Sequence, residues 1–453
     1  AQAILAQVSW LHKSSPHRSG SAGMAPQPAA TVAATPLPCQ RHLFALPEGK
    51  VYLNCASRSP MPREVARIGH AALAQKLEPW SISDDGVHER VRGLFARLLG
   101  DAVTSDAVAL TPSTSYAISQ AAHNILRLGF VKEGDTVLVL EQQMSSNVYP
   151  WQRLCREAGA RLLAVPAPSD GLWTEAVVAS AHGVWDANGH VAVIAVPHFL
   201  WTDGSGPVDL ARLGAICRKR EGGGGRRRPV LVVDATQSLG VVPIDVRACG
   251  IDFLAASVHK WLFGPYGLSC LYASEEWCHD PRTEPIVHDE HSRAGADGDK
   301  VLPFELSRPG YPEEFQSGAR KFDSGGRPNP IVLPMVEAAL EQVLAWGPSR
   351  IAATVAPFTA RLVAEAEGLG ITAPRSHGPH IVGLGLGGAS AAARVEWSEE
   401  ASAYLKARGI YISARGGVLR VAPHVYNTNA DVTALLEGLR DFVTRRSGRS
   451  AAL

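Results

Sequence analysis

The sequence predicts an α/β fold whose sheet is largely parallel and covered on both faces. Two short, almost entirely apolar runs occupy residues 229–233 and 251–256. Further strand-like runs occupy residues 136–140, 191–196 and 268–273. Apolar runs of this length are typical of strands buried on both faces of a sheet. Polar residues that end such strands lie at the sheet edge where open α/β sheets bind ligands.

The two central runs end in groups that carry chemistry. The first ends in Asp234, with Gln237 one turn later, and the second is followed by Ser257, His259 and Lys260. One carboxylate and one lysine at neighbouring strand ends suit pyridoxal phosphate (PLP), because the lysine forms a Schiff base with the aldehyde and the carboxylate pairs with the pyridine nitrogen. A turn-forming Asp and a surface Lys are the alternative for either residue alone.

The proposed carboxylate has a strong electrostatic effect on the ring nitrogen. At about 4 Å in a partly buried site the interaction contributes roughly 4 kcal/mol. This corresponds to about three pKa units in favour of the protonated ring. The pattern D-x-x-Q followed by S-x-H-K therefore favours the cofactor site over two unrelated surface residues.

This segment resembles the fold-type I PLP enzymes of the class V aminotransferase group, which includes cysteine desulfurases, selenocysteine lyases and kynureninase-like proteins. The resemblance extends from about residue 51 to about residue 443. It implies a PLP-binding large domain over residues 41–335, with a mostly parallel seven-stranded sheet, and a small α/β C-terminal domain over residues 336–453. It also implies roles for five residues: the Schiff base for Lys260, the pyridinium partner for Asp234, the ring hydroxyl contact for Gln237, and phosphate contacts for Ser257 and His259.

Composition narrows the function classes. The 453 residues include 44 Lys and Arg against 43 Asp and Glu, so no nucleic-acid partner is expected. No apolar run reaches about 18 residues, so no membrane partner is expected. The seven scattered cysteines form no C-x-x-C pair, which indicates neither a metal site nor a disulfide framework. A cytoplasmic location is the default expectation.

The N-terminal segment differs in composition from the rest. Residues 1–40 are rich in Ala, Ser, Pro and Gly, and we expect a disordered leader. Met24 is a plausible initiator, and an organelle transit peptide stays open because no acidic residue precedes Glu48.

A phosphate-binding turn is predicted before the helix over residues 116–128. Ser113, Thr114 and Ser115 supply hydroxyl groups and free backbone N–H groups at its start. Ordinary helix capping needs only one of them, and the resembling family has its phosphate turn here.

Three further residues are candidates for the substrate side of the site. Arg420 aligns with the family arginine that binds the substrate α-carboxylate, and a surface salt bridge is the alternative. His198 matches a catalytic family histidine near the ring, although a lone histidine at a strand end is more often a local hydrogen-bonding residue. Asn54 is a substrate-contact candidate or a turn residue.

The sequence also departs from the desulfurase pattern. Met144 and Ser145 stand where desulfurases have a ring-stacking histidine, so Asn147 or Trp151 could cover the ring instead. Trp201 stands where Asn is usual, which predicts a more apolar pocket. Residues 413–419 contain no cysteine, so a persulfide mechanism has no nucleophile there.

These features predict a PLP-dependent enzyme that acts on an amino acid through a Lys260 Schiff base and a Cα carbanion. An aminotransferase or a carbon–sulfur (β-elimination) lyase is the main expectation. A racemase or epimerase of the same family, or a non-catalytic PLP-fold scaffold, is the alternative. The resemblance also implies a homodimer with active sites at the subunit interface.

Overall fold

A seven-stranded sheet forms the centre of the protein. The computed structural model describes residues 34–82, 85–219, 227–294, 313–326 and 329–450. The strands of the sheet are β2 (Val108–Thr111), β3 (Thr136–Leu140), β4 (Arg161–Val165), β5 (Val191–Pro197), β6 (Val230–Asp234), β7 (Phe253–Ser257) and β8 (Ser269–Ala273). Their order is β2-β8-β7-β6-β5-β3-β4, and only β8 runs antiparallel to its neighbours. The predicted mostly parallel seven-stranded sheet is confirmed.

Helices cover both faces of this sheet. They are α1 (Arg63–Gln75), α2 (Val87–Leu99), α3 (Thr114–Arg127), α4 (Tyr149–Ala158), α5 (Trp173–Asp186), α6 (Leu210–Lys219), α7 (Glu275–Cys278), α8 (Val332–Trp346), α9 (Pro348–Glu367), α10 (Ala391–Ala407) and α11 (Asn429–Ser450). Alternate strand residues enter two separate cores: Val139 and Val232 pack with α3 and α4, whereas Leu138 and Val233 pack with α5, α6 and α8. This two-sided burial explains why the strands are continuously apolar.

The C-terminal region contains a second sheet of four antiparallel strands. These are β9 (Ile371–Thr372), β10 (Val382–Leu386), β12 (Ser413–Arg415) and β13 (Val418–Val421), in the order β12-β13-β10-β9. The short strand β11 (Ile410–Tyr411) pairs instead with β1 (Val51–Tyr52). Residues 409–423 thus contain three strands, and Gly416 and Gly417, with φ of 55° and 83°, turn the chain back between β12 and β13.

The N-terminal boundary needs a partial correction. Residues 1–33 of the predicted leader lie outside the described residues. Leu37 N, however, donates to Thr354 Oγ1 at 2.8 Å, and Gln40 N donates to Val425 O at 2.8 Å. Residues 34–40 thus belong to the folded chain, because these contacts tie them to the C-terminal region. The division into domains at residue 335 stays a prediction, since Ala34–Leu453 clusters as one unit.

Two further points concern membrane-spanning helices and the stretch after Glu284. None of the described helices combines the length and apolarity needed to cross a bilayer. The Gly- and Pro-containing stretch after Glu284 falls partly on residues 295–312, which lie outside the described residues.

A buried ion pair ties the chain after residue 318 to the sheet. Arg92 is 3% exposed, and its Nη1 donates to Val108 O and to Asp323 Oδ1, both at 2.9 Å. The same Asp323 oxygen accepts Leu110 N at 2.8 Å. Each charged group is therefore stabilised by the other and by a backbone group of β2.

Asp323→Ala should strongly destabilise the protein, because it leaves the Arg92 charge buried with Glu89 as its remaining carboxylate partner. We expect a loss of about 3 kcal/mol in the free energy of unfolding, measured by urea denaturation. Glu64→Ala, which removes a pair with Arg67 on the surface, is the matched control and should cost less than about 1 kcal/mol. Equal losses for the two variants would contradict the structural role of Asp323.

Candidate active site

The carboxyl ends of β6 and β7 open into a cavity of about 220 Å³. Asp234 is the last residue of β6 and pairs in register with Ala255 of β7, and Lys260 follows the end of β7 by three residues. The structure places eight predicted residues in the cavity wall: Ser113, Thr114, Ser115, Asp234, Gln237, Ser257, His259 and Lys260. The parallel strands thus gather at one edge the residues that the sequence analysis assigns to cofactor binding.

Asp234 is a buried carboxyl group, 7% exposed. Burial raises its pKa, and the hydrogen bond from Thr236 N to Oδ1 at 2.9 Å and the charge of Lys260 oppose that rise. A buried carboxylate is stable only with a cation close to it. This requirement fits a protonated pyridine nitrogen.

Lys260 has an amine that burial makes less basic. Burial lowers its pKa to about 8; Asp234 opposes this, and the charges of Arg420 and Arg415 add to it. An amine with this pKa is roughly one-fifth neutral at pH 7.4. It can therefore act as a nucleophile or as a base near neutral pH.

A cluster of hydroxyl groups also lines the cavity. Thr114 Oγ1 lies 2.7 Å from Ser257 Oγ and 3.2 Å from Thr236 Oγ1. Ser113 caps α3 by accepting Tyr116 N at 3.2 Å, so its oxygen already serves the helix. Hydroxyls at the start of a 14-residue helix fit a phosphate group, because the first N–H groups of the helix have no helical partner.

Thr236 is a residue of the cavity wall that was not predicted from the sequence. It lines the cavity, and its Oγ1 accepts Ser257 N at 3.3 Å, which joins β6 to the end of β7. Its position between Asp234 and Gln237, in the turn that follows β6, was the available signal in the sequence.

Gln237 is held at both ends of its amide. Nε2 donates to Ala56 O at 3.2 Å, and Oε1 accepts Trp261 Nε1 at 2.8 Å. The side chain is thus oriented without any ligand, and one Nε2 hydrogen remains for a further acceptor.

His259 contributes a neutral ring to the cavity wall. Its ring stacks on Tyr266 with centroids 4.5 Å apart, and burial followed by the charge of Lys260 lowers its pKa to about 4. At neutral pH it can still donate one hydrogen bond from the ring.

His198 is placed near the site but not in the cavity wall. Its backbone N donates to Asp234 O at 3.2 Å, and its ring packs on Phe199 with centroids 4.6 Å apart. Among the described residues its Nδ1 has no hydrogen-bond partner, and burial lowers its pKa to about 4. A catalytic role for His198 stays a prediction.

Arg420 is 2% exposed, so the surface salt-bridge alternative is wrong. Its Nη1 donates to Trp201 O at 2.5 Å, and its Nε has no partner among the described residues. Burial and the charge of Arg415 lower its pKa to about 10. Asn54 lies beside this arginine's strand, because its Oδ1 accepts Ser413 Oγ at 3.0 Å and Ser413 pairs in register with Arg420.

The cavity has an apolar wall made by Met144, Phe199 and Trp201. Trp201 is held there by a hydrogen bond from Nε1 to Gln142 O at 2.9 Å. Asn147 and Trp151, the suggested ring covers, are instead buried against each other, with Trp151 Nε1 donating to Asn147 Oδ1 at 2.9 Å, and do not line the cavity.

No cysteine lines the cavity in the described part of the chain. Cys55 is near, with its Sγ 3.9 Å from Lys260 O, but it is buried and burial raises the pKa of its thiol well above the usual range. A buried neutral thiol is a poor nucleophile.

Comparison with known proteins agrees with this geometry. The model of the aminotransferase class-V family matches residues 83–286. The uncharacterized aminotransferase YcbU of Bacillus subtilis is 27% identical over 86% of this chain and 94% of its own length. A cysteine desulfurase of Klebsiella pneumoniae is 30% identical, but over 50% of this chain and 53% of its own length.

Solved structures share the fold. The apo structure of a cysteine desulfurase from Thermococcus onnurineus superposes with a TM-score of 0.72 at 20% identity, covering 90% of this chain and 99% of that one. The cystine C–S lyase C-DES, in complex with cysteine persulfide, superposes with a TM-score of 0.69 at 19% identity, covering 87% and 98%. The predicted fold-type I architecture is confirmed.

The depressed Lys260 pKa predicts how the apoprotein takes up PLP. The protonated amine cannot attack an aldehyde, so the initial rate of covalent PLP uptake should rise about tenfold between pH 7 and pH 8.5 and level off above the pKa of about 8. Absorbance after rapid mixing measures the rate, and Lys260→Ala should show no covalent uptake. A rate that keeps rising to pH 10.5 would mean that burial does not depress this amine.

Proposed function

Because the chain is a PLP-dependent enzyme of the aminotransferase class-V type, we propose that it uses Lys260 to move a proton at the Cα atom of an amino acid, as an aminotransferase or a carbon–sulfur lyase. The observation that carries this proposal is the cavity that joins a buried Asp234, a Lys260 amine of lowered pKa and the hydroxyl cluster at the start of α3. When bound, PLP supplies an electron-withdrawing ring that accepts the electron pair of a broken Cα bond.

The residues of this chain divide the remaining tasks. Asp234 holds a proton at the ring nitrogen, since its own burial penalty falls when a cation lies beside it. Thr114, Ser257 and Thr236, together with the first N–H groups of α3, hold the phosphate. Gln237 supports the ring hydroxyl with the Nε2 hydrogen not used by Ala56.

On the substrate side, Arg420 binds the α-carboxylate. The Trp201 carbonyl fixes one end of the guanidinium, and its free Nε leaves a donor for the ligand. Lys260 then takes the Cα proton, and its neutral fraction near pH 7.4 suits it to act as the base.

The cavity wall favours transamination or β-elimination over persulfide transfer. Among the described cavity residues no thiol is available to receive sulfur, whereas an amine that both removes and returns protons suffices for the other two reactions. A scaffold protein has no need for an acid and an amine, Asp234 and Lys260, in one cavity, since each costs free energy without a ligand. This supports catalysis over the non-catalytic alternative.

Assembly and location form part of the same proposal. We propose that the chain forms a homodimer with active sites at the subunit interface, as its resemblance to class V enzymes suggested, and that it is cytoplasmic, which the scattered cysteines fit.

A panel of amino acids tests the proposed reaction. The protein loaded with PLP is incubated with each amino acid, with and without a keto acid acceptor, and keto acid, ammonia and sulfide are measured. Keto acid formed only with an acceptor indicates transamination, whereas ammonia or sulfide formed without one indicates elimination. Lys260→Ala should lose at least 100-fold of either activity. Inversion at Cα without release of any product would favour the racemase alternative, and no reaction with any amino acid would contradict the proposal.

Asp234→Asn should reduce turnover by about 100-fold or more, because the amide cannot stabilise a positive charge at the ring nitrogen. PLP should remain bound, since the phosphate and lysine contacts are intact. The control is Asp252→Asn. Asp252 immediately precedes β7, is buried like Asp234, and forms an ion pair with Arg228. That control should lower stability but leave turnover per folded molecule within about threefold. Full activity of Asp234→Asn would assign the ring nitrogen to another residue.

A further inference from the structure

The hairpin of β12 and β13 carries two arginines on one face. Its register pairs Ser413 with Arg420 and Arg415 with Val418. In an antiparallel pair, directly opposite residues and residues two apart share a face. Arg415 and Arg420 are therefore diagonal neighbours on the same side of the hairpin, with Cα atoms about 7–8 Å apart.

This face packs against the loop that bounds the cavity. Gly383, which pairs with Arg420 across the sheet, lies so close to Asp203 that an added Cβ would be 2.7 Å from the Asp203 Cβ. A Cβ added at Gly416 would meet Thr202 at 3.9 Å. Since Trp201 of the same loop lines the cavity, both arginines lie next to the substrate side of the site.

Neither arginine has a carboxylate partner among the described residues. Arg420 bonds to the carbonyl of Trp201, and Arg415 bonds only to the carbonyl of Ala414 at 2.9 Å. The acid of the adjoining loop, Asp203, accepts hydrogen bonds from Ser205 N and Oγ at 2.9 and 2.8 Å. Two neighbouring guanidinium groups repel each other, and an anion bound beside them would offset that repulsion.

The two cations differ in burial. Arg420 is buried and suited to the α-carboxylate, whereas Arg415 is half-buried and lies nearer the turn at Gly416. The charge of Arg415 nevertheless reaches the site, because it lowers the pKa of both Lys260 and Arg420. The indole of Trp201 offers an apolar surface along which the methylene groups of a ligand can lie.

We propose that Arg415 forms a second anion subsite and that the substrate is an amino acid with a carboxylate on its side chain. The inference rests on the proposed function for the reaction and adds the substrate class. Arg415 sets specificity by binding the distal carboxylate while Arg420 holds the α-carboxylate.

Arg415→Gln tests this subsite in the full-length protein loaded with PLP. We compare glutamate with glutamine and aspartate with asparagine, because each pair differs in the distal charge and little in shape. The variant should lose about tenfold or more in kcat/KM for the acids and less than about threefold for the amides. The wild-type preference for acids should also weaken with added salt. Equal losses for acids and amides would place Arg415 on the α-carboxylate and overturn the inference.

Arg394→Gln is the matched control. Arg394 is exposed on α10, and its backbone and Cβ lie next to Gly417 of the same turn, but it is not part of the hairpin face. This variant should keep the wild-type ratio of acid to amide. A changed ratio would mean that general surface charge, rather than Arg415, selects the substrate.

A binding measurement separates this inference from the proposed reaction. Glutarate and butyrate are titrated calorimetrically into the PLP-loaded protein, since neither has an amino group to react. Arg415→Gln should weaken glutarate binding about tenfold or more and leave butyrate binding nearly unchanged. This result would support the subsite even if no amino acid were turned over. Turnover combined with glutarate binding that ignores Arg415 would keep the proposed function and reject the subsite.

Discussion

The cost of burying charge governs the structure at the carboxyl edge of the sheet. Asp234, Lys260 and Arg420 are all shielded from water, and burial is the first cause of the pKa shift in each case. Each group alone would be destabilising, so the surrounding polar contacts and the expected ligand have to compensate. The same burial makes the lysine less basic and the aspartate avid for a cation. Stability and chemistry at this edge therefore have one physical origin.

Supporting residues hold these charged groups in place through contacts distant in sequence. Gln237 is clamped by Ala56 and Trp261, and Arg420 by the carbonyl of Trp201. Such contacts fix orientation before a ligand arrives, which lowers the entropic cost of binding it. In the proposed function, the central sheet would offer the cofactor contacts and the β12–β13 hairpin would offer the arginines. An amino acid bound as proposed would be held by groups from distant parts of the chain.

Much of this arrangement could be predicted because the signals are local. Continuous apolar runs identify buried strands, and Asp234 and Lys260 follow such runs directly, so their meeting at one edge follows from strand geometry. The clamp on Gln237 could not be predicted, since it joins residues 181 apart. The hold on Arg420 spans 219 residues and uses a backbone carbonyl, which leaves no trace in residue type. The role of Thr236 could not be predicted, because a threonine within a turn resembles any other turn residue. Residues 34–40 were predicted to be part of a leader because composition gives no sign of the hydrogen bonds that Leu37 N and Gln40 N make with the C-terminal region.

The hydroxyl cluster links four parts of the fold in a single chain of hydrogen bonds. Ser269 of β8 donates to Ser257 of β7, Ser257 lies against Thr114 of α3, and Thr114 lies against Thr236 after β6. Each hydroxyl has one hydrogen, so the direction of one bond restricts the direction of the next. An anion that accepts a hydrogen bond at the cavity end would select one direction for the bonds that join Ser257, Thr114 and Thr236. Phosphate binding would thus change the hydrogen bonding at the strand ends through rotation of hydroxyl hydrogens, without movement of any heavy atom.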